Sequence, residues 1–122
     1  MAALRLPKGD ESQAQARTAA IQQALKEATR PPLAAAVDCE TVLRLARSAV
    51  EVVNPSAISD IAVAALLARA GLESAAENVE ANLALIRDFD FVDEARAELE
   101  KLLEGQNELA EAVKVGARAR SA

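Results

Sequence analysis

The seven residues from Asn54 to Asp60 are the part of the chain whose types and spacing best suit chemistry. They combine a turn, a predicted helix start and an acid, with Asp60 set among apolar neighbours. A carboxylate in the first turn of a helix is stabilised by the helix dipole and the free amides, so Asp60 is a candidate acid-base group or substrate anchor. The structural alternative is that Asn54 or Ser56 caps the helix while Ser59 and Asp60 occupy its first turn.

A second candidate is a pair of amides. Asn78 and Asn82, four residues apart, project from the same side of one predicted helix. Buried amides need partners, so the pair either binds a flat polar heterocycle or sets the packing register of the core. Asn78 is roughly 27 Å from Asp60 along a helix, too far for one small ligand to touch both. An antiparallel neighbouring subunit would bring them together, which predicts a site between subunits.

A third candidate is cationic. Lys8 follows Leu6-Pro7, and Arg17 lies in the helix that comes next, so the two side chains could hold an anion. The alternative is a solvated charged surface. The chain has no glycine-rich phosphate loop, no fixed pair of metal-binding carboxylates and no nucleophile elbow, so no metal site is predicted.

Composition excludes several kinds of chemistry. The 122 residues include no His, Trp or Tyr and one Cys, so a His-containing zinc site or a Ser-His or Cys-His pair cannot form within the chain. Acid-base chemistry is left to Asp, Glu, Lys or the thiol. A net charge of -5 opposes binding to nucleic acid or anionic membranes. Phe89 and Phe91 are expected to pack inside, which leaves no platform for base stacking.

The cellular setting follows from Cys39 and from the apolar runs. Cys39 is expected to be a buried, reduced, structural thiol, which fits a reducing cytoplasm. The apolar run after Met1 is too short for a signal peptide, and no later segment is expected to span a membrane. We therefore expect a cytoplasmic protein.

Hydrophobic periodicity predicts an all-α fold, an antiparallel helical bundle of about four main helices. One domain is expected over residues 1–116, with 117–122 as a frayed tail. Helix one starts at a capping box, Asp10 to Gln13, and ends before Pro31-Pro32, because the residue before a proline avoids the α region. The other helices are predicted over residues 32–53, 54–88 and 91–115. The second is apolar around most of its circumference, which predicts either a homo-oligomer or the absence of neighbouring helices.

Four blocks of the chain form an ordered series. They are Ala2-Ala3-Leu4-Arg5-Leu6-Pro7-Lys8, residues 24–33, residues 54–65 from Asn54-Pro55 through Asp60, and residues 78–83 from Asn78 through Asn82. This series resembles the family of formiminotetrahydrofolate cyclodeaminases and methenyltetrahydrofolate cyclohydrolases, over about residues 2 to 113. Matched residue by residue, the resemblance implies that the site residues are Lys8, Asn54, Ser59, Asp60, Asn78 and Asn82.

The resemblance implies a helical fold that forms a homodimer or higher oligomer, and a tetrahydrofolate derivative as substrate or ligand, with no covalently bound cofactor. Family members either close a formimino group with loss of ammonia or hydrolyse a methenyl bridge. Either step is proton transfer at an amidine-like centre, for which Asp60 and Lys8 are the expected catalytic groups. The resemblance then gives Asn54, Ser59, Asn78 and Asn82 as substrate-binding residues, and Arg17 is added to them as the cation expected to act with Lys8.

The start of the chain departs from the family pattern. Family members begin with further helices and a proline- and glycine-rich motif, whereas Met1 here stands almost at the Leu6-Pro7-Lys8 block. We expect an N-terminally truncated domain, in which a second subunit covers what the absent helices would cover. Two hypotheses follow, a folate-handling cyclodeaminase or cyclohydrolase and a noncatalytic helical oligomerisation or interaction module derived from that fold.

Overall fold

The computed structural model describes residues 1–121, and most of them lie in helices. A short 3-10 helix, Ala2–Arg5, precedes the long helix α1, Glu11–Ala49. A second 3-10 helix, Pro55–Ala57, leads into α2, Ile58–Leu83, and then come α3, Phe89–Glu104, and α4, Gln106–Ser121. The predicted all-α fold is confirmed, although the helix bounds differ from the prediction.

Helix α1 begins where the capping box predicts. The Asp10 carboxylate accepts a hydrogen bond from the backbone N–H of Gln13 at 2.8 Å, and the Gln13 side-chain oxygen accepts one from the N–H of Asp10 at 3.2 Å. The box satisfies backbone donors that a helix start leaves free. It fixes the first helical residue as Glu11.

The predicted helix end at Pro31-Pro32 is wrong, because α1 continues through both prolines to Ala49. A proline inside a helix removes a backbone hydrogen bond and costs about 3 kcal/mol. Burial offsets this cost, since Leu25 before the prolines and Ala36 after them belong to the same hydrophobic core. The predicted helices one and two are therefore one continuous helix.

Helix α2 runs antiparallel to α1 in a constant register. Asn82 hydrogen-bonds to Ala28, and the α-carbon of Gly71 lies against the sulfur of Cys39. Eleven residues separate the two contacts on each helix, so the register between the two helices is constant over that length. This register sets the level of every candidate residue along the bundle.

Helices α3 and α4 together run antiparallel to α2 and pack against both α2 and α1. Arg96 of α3 pairs with Glu80, and Asn107 of α4 accepts a hydrogen bond from Arg69. The predicted single helix over residues 91–115 is interrupted at Gly105, where α3 ends and α4 begins in the same general direction. The bundle thus has three members, α1, α2 and the broken α3–α4 pair, and each of them packs against the other two.

The end of α4 corrects the prediction of a frayed tail. Residues 117–121 continue α4, and Ala117 is buried. Arg120 donates hydrogen bonds from Nη1 to the carbonyl oxygens of Val50 and Val53, at 2.9 and 2.7 Å. These carbonyls follow the end of α1 and have no helical partners, so Arg120 closes that end. Ala122, the last residue of the predicted tail, lies outside the described residues.

The core is aliphatic, as the composition predicts. Its fully buried side chains include Leu43, Leu72, Leu83, Val79 and Val113. The expectation that both phenylalanines pack inside is wrong for Phe89, which is 73% exposed at the start of α3, whereas Phe91 packs against the core.

One segment changes the expectation about membrane spans. Pro55–Leu83 is long and apolar enough to cross a membrane by length and composition alone, and 22% of its apolar window is buried. Core helices that are mostly buried pass the same test, whereas α2 contacts α1, α3 and α4 along only part of its surface. The consequence for the single chain is that large apolar side chains of α2, such as Leu66 and Leu67, stay exposed.

Candidate functional site

The Asn54–Asp60 segment forms the turn and helix start that the sequence predicts. The Asn54 Oδ1 atom accepts hydrogen bonds from the backbone N–H of Ser56 at 3.0 Å and from its hydroxyl at 2.9 Å. Asn54 therefore caps the 3-10 helix, as the structural alternative expects. Ser59 and Asp60 are exposed in the first turn of α2. Their side chains are free to meet a ligand or another subunit.

The two asparagines lie near the other end of α2, beside the prolines of α1. The Asn82 Nδ2 atom donates a hydrogen bond to the Ala28 carbonyl at 3.3 Å. That carbonyl would accept from residue 32 in an ordinary helix, but Pro32 has no N–H. Asn82 supplies the missing donor, so it stabilises the helix at the prolines.

Asn78 faces the same groove without an internal role. A groove of about 530 Å³ is lined by Ala28, Pro31, Pro32, Ala35, Asn78, Ala81 and Asn82. Asn78 is exposed and makes no side-chain hydrogen bond within residues 1–121, whereas Asn82 is half-buried and retains its carbonyl oxygen for a ligand. The groove floor is apolar and carries two amides, which suits a flat polar ring.

The cationic pair lies at the opposite end of the bundle from Asp60. Lys8 is exposed in the loop before α1, and Arg17 is half-buried on α1. The Nε atom of Arg17 is buried and has no acceptor within the described part of the chain. An unpaired buried donor of a guanidinium is costly, so Arg17 is the candidate most in need of a partner.

The common register of α1 and α2 places the candidates on separate levels. Asn82 lies level with Ala28, and Asp60 comes twenty-two residues before it on α2. Arg17 precedes Ala28 by eleven residues on α1. At 1.5 Å per residue, Arg17 is about 16 Å from Asn82 along the bundle axis, and Asp60 is about 33 Å from Asn82 on the other side. One chain alone does not bring Asp60 together with the other groups.

The same candidates nevertheless share one side of the helix pair. Eleven residues are almost exactly three helical turns, so Arg17 projects in nearly the same direction as Ala28, which lines the groove. Asp60 is eighteen residues, or five turns, from Asn78, which lines the groove from α2. The face formed by α1 and α2 therefore carries Arg17, Asp60 and the two asparagines, at different heights.

Sequence reasoning missed the link between the prolines and Asn82. The signal was present, because a proline at position 32 must leave the Ala28 carbonyl without its helical donor. The prediction that the helix ends before Pro31-Pro32 hid this signal, because a helix that ends there needs no donor for the Ala28 carbonyl. The residues described by the structure include no group of three or more Cys, Asp or Glu side chains placed to hold a metal ion.

The fold and the site together describe an all-helical chain whose polar candidates lie along one face of an antiparallel helix pair. Comparison with known proteins places it in a family. Residues 1–101 match the model of the formiminotransferase-cyclodeaminase family, so the chain belongs to that family.

A curated relative is similar over most of the chain. The sequence is 47% identical over 103 residues to a methenyltetrahydrofolate cyclohydrolase of Methylorubrum extorquens. The matched region covers 84% of this chain and 50% of the relative. The chain thus spans about half the length of the curated relative it matches.

Proposed function

We propose that the chain acts in folate one-carbon metabolism, on a tetrahydrofolate derivative, by hydrolysing a methenyl bridge. The observation that carries this proposal is the 47% identity to a methenyltetrahydrofolate cyclohydrolase over 103 of the 122 residues, a length that includes Asp60 and both asparagines wherever it begins. The relative's name favours hydrolysis over closure of a formimino group. It also makes a purely structural module the weaker hypothesis. Cytoplasmic localisation stays a prediction.

The proposed site lies between two copies of the chain. Val42 is two turns from the groove residue Ala35, and Leu67 is three turns from Asn78, so both extend the groove face along the bundle. They are 40% and 68% exposed. A second copy that packs antiparallel on this face would bury these apolar side chains in a self-complementary contact.

The antiparallel arrangement also brings the distant candidates together. A two-fold axis at the level of Gly71, midway between Asp60 and Asn82, places Asp60 of one copy opposite Asn82 of the other. The two groups are then separated by the width of a helix pair rather than by about 33 Å along the axis. Arg17 lies about 16 Å farther along the same face, within reach of the tail of an extended folate.

In this arrangement the groups have distinct tasks. Asp60 accepts one proton from the water as its oxygen bonds to the bridge carbon, which leaves a hydroxyl group there. That hydroxyl becomes the formyl carbonyl as one C–N bond breaks, and its proton passes to the departing nitrogen. The formyl group remains on the other nitrogen. Asn78 and the free carbonyl oxygen of Asn82 hydrogen-bond the ring, and Lys8 and Arg17 offset negative charge on the substrate.

The experiment is to mix the purified chain with methenyltetrahydrofolate and follow the loss of its absorbance. We expect chain-dependent hydrolysis that Asp60→Asn reduces by at least about a hundredfold, since general-base catalysis contributes on that order. Asp93→Asn, a neutralisation of an exposed acid on α3, is the matched control and should leave the rate unchanged. A rate equal to that of buffer, or equal rates for both variants, would refute the assignment.

The arrangement of the two copies is tested separately by cross-linking. Ala70 is exposed beside the proposed two-fold axis, so Ala70→Cys in a Cys39→Ser background should form a disulfide-linked dimer under mild oxidation. Ala97→Cys on α3 is the control and should stay uncross-linked at the same concentration. A monomer by light scattering, or equal cross-linking of both variants, would contradict the antiparallel site.

A further inference from the structure

A second groove lies between α2 and α4, on the side of α2 away from the prolines. It has a volume of about 290 Å³, close to the lower end of the range for small-molecule pockets. Its floor is made of small apolar side chains from both helices, including Ala62, Ala65, Ala110 and Val113. Such a floor accepts a narrow apolar body and offers it no hydrogen bonds.

The charges around this groove are mainly positive. Arg69, Lys114 and Arg118 line it together with a single carboxylate, that of Glu111. This local excess of cations stands against a net charge of -5 for the whole chain. Lys114 and Arg118 are four residues apart on α4, so they project from the same side of that helix.

Arg69 already has polar partners within the chain, whereas the ion pairs of the described residues do not include the other two cations. Arg69 donates a hydrogen bond to Asn107 Oδ1 at 2.6 Å, and its Nε atom is 3.7 Å from a Glu73 carboxylate oxygen. That contact holds its guanidinium at the rim. The ion pairs within residues 1–121 include neither Lys114 nor Arg118. An incoming anion would therefore meet two cations that are not already neutralised by a salt bridge.

We propose that this groove binds a small amphipathic monocarboxylate, with its apolar body on the floor and its carboxylate between Lys114 and Arg118. The charge complementarity favours an anion over a neutral apolar molecule, and the apolar floor favours an organic acid over an inorganic ion. The site is distinct from the proposed folate site, because it uses α4 and the opposite side of α2. It therefore stands whether or not the chain hydrolyses a methenyl bridge.

The test is isothermal titration calorimetry of the full chain with 1-naphthoate and with octanoate, which present an aryl and an alkyl body. We expect at least one to bind, and the tighter one identifies the body that the groove prefers. Replacing both cations, Lys114→Glu with Arg118→Glu, should weaken binding by about tenfold or more. Arg87→Glu with Lys101→Glu changes the net charge equally at exposed positions outside the groove and should leave binding within about twofold.

A charge-neutral variant tests the apolar floor. Ala110→Phe fills the groove while it keeps every cation, and it should abolish binding in a chain whose thermal unfolding remains cooperative. Four results would overturn the proposal: neither acid binds, neutral 1-naphthalenemethanol binds as tightly as 1-naphthoate, both charge-reversed variants lose binding equally, or the groove variant binds normally. A lower mass of the Lys114→Glu, Arg118→Glu variant in light scattering without ligand would also overturn it, by assigning the groove to a second copy.

Discussion

Removal of the Asn82 amide should destabilise the fold through one identifiable carbonyl. Asn82 donates to the Ala28 oxygen at 3.3 Å, in place of the N–H that Pro32 lacks. A hydrogen bond between uncharged groups contributes about 1 kcal/mol, and loss of this one leaves the carbonyl of the exposed residue Ala28 without the donor that Asn82 supplies. Asn82→Ala should therefore lower the free energy of unfolding by about 1 kcal/mol, and Tm by about 4 °C for a domain of this size.

A double-mutant cycle isolates the cause. In a Pro32→Ala background the backbone N–H of residue 32 can donate to Ala28, so Asn82→Ala should then cost close to zero. The expected coupling between the two positions is about 1 kcal/mol. Asn78→Ala is the matched control, because Asn78 is an exposed asparagine in the same groove, and its effect should stay within about 0.5 kcal/mol.

The assay is urea-induced unfolding followed by far-ultraviolet circular dichroism. Linear extrapolation gives the free energy of unfolding for each of the four members of the cycle and for the control. If Asn82→Ala costs the same in both backgrounds, its effect does not depend on the missing proline N–H. That outcome would refute the account of why α1 passes through its prolines.

Three further changes probe other parts of the bundle. Arg120→Met removes two charge-assisted hydrogen bonds and should lower the free energy of unfolding in urea by about 2 kcal/mol. Arg118→Met, at an exposed position on the same helix, should change it little, and equal decreases for the two variants would contradict the capping role of Arg120. Gly71→Ala places a methyl group 2.7 Å from the Cys39 sulfur and should lower the free energy of unfolding by about 1–3 kcal/mol. In a Cys39→Ala background the same change should raise that free energy by up to about 1 kcal/mol, because alanine favours a helix more than glycine does. A lower free energy of unfolding in both backgrounds would exclude the sulfur as the cause. The hydrogen bond from Lys26 lowers the pKa of Asp88 below its ordinary 3.8, so the ionised carboxylate stabilises the folded chain above that pH, and this stabilisation is lost as the pH falls. Asp88→Asn still caps α3 and should make the fall of Tm between about pH 5 and pH 3 less steep. An unchanged slope of Tm against pH would contradict this.

The features that sequence predicted well are local ones. The capping box at Asp10 and Gln13 and the cap at Asn54 depend on side chains that bond to backbone within three residues. Their geometry is fixed by the near sequence, so reading the residue types suffices. The all-α fold was predictable for the same reason, since apolar periodicity is strong over each helix.

The features that sequence misjudged depend on distant contacts. Local preference alone ends a helix at Pro31-Pro32, but burial on both sides of the prolines and the donor from Asn82 favour continuation. Arg120 was assigned to a frayed tail, because nothing near it in sequence shows that the carbonyls at the end of α1 lie within its reach. Exposure of Phe89 is likewise set by packing rather than by its neighbours in the chain.

The candidate site shows the same division. Sequence spacing was enough to put Asp60 and Asn78 on one helix and to show that a single ligand could not touch both. It could not show that Arg17 shares a face with them, because this requires the register between α1 and α2. The height of each group along the bundle is a property of the packed helices.

A mixing experiment tests most directly whether one folate site is built from two copies of the chain. The Asp60→Asn and Asn78→Ala variants should each hydrolyse methenyltetrahydrofolate poorly as separate homodimers. After equal amounts are unfolded together and refolded, random pairing should restore about a quarter of the parental rate, because half of the dimers then contain one intact site out of two. A mixture no more active than the mean of the two variants would contradict an antiparallel site in which Asp60 and Asn78 come from different copies.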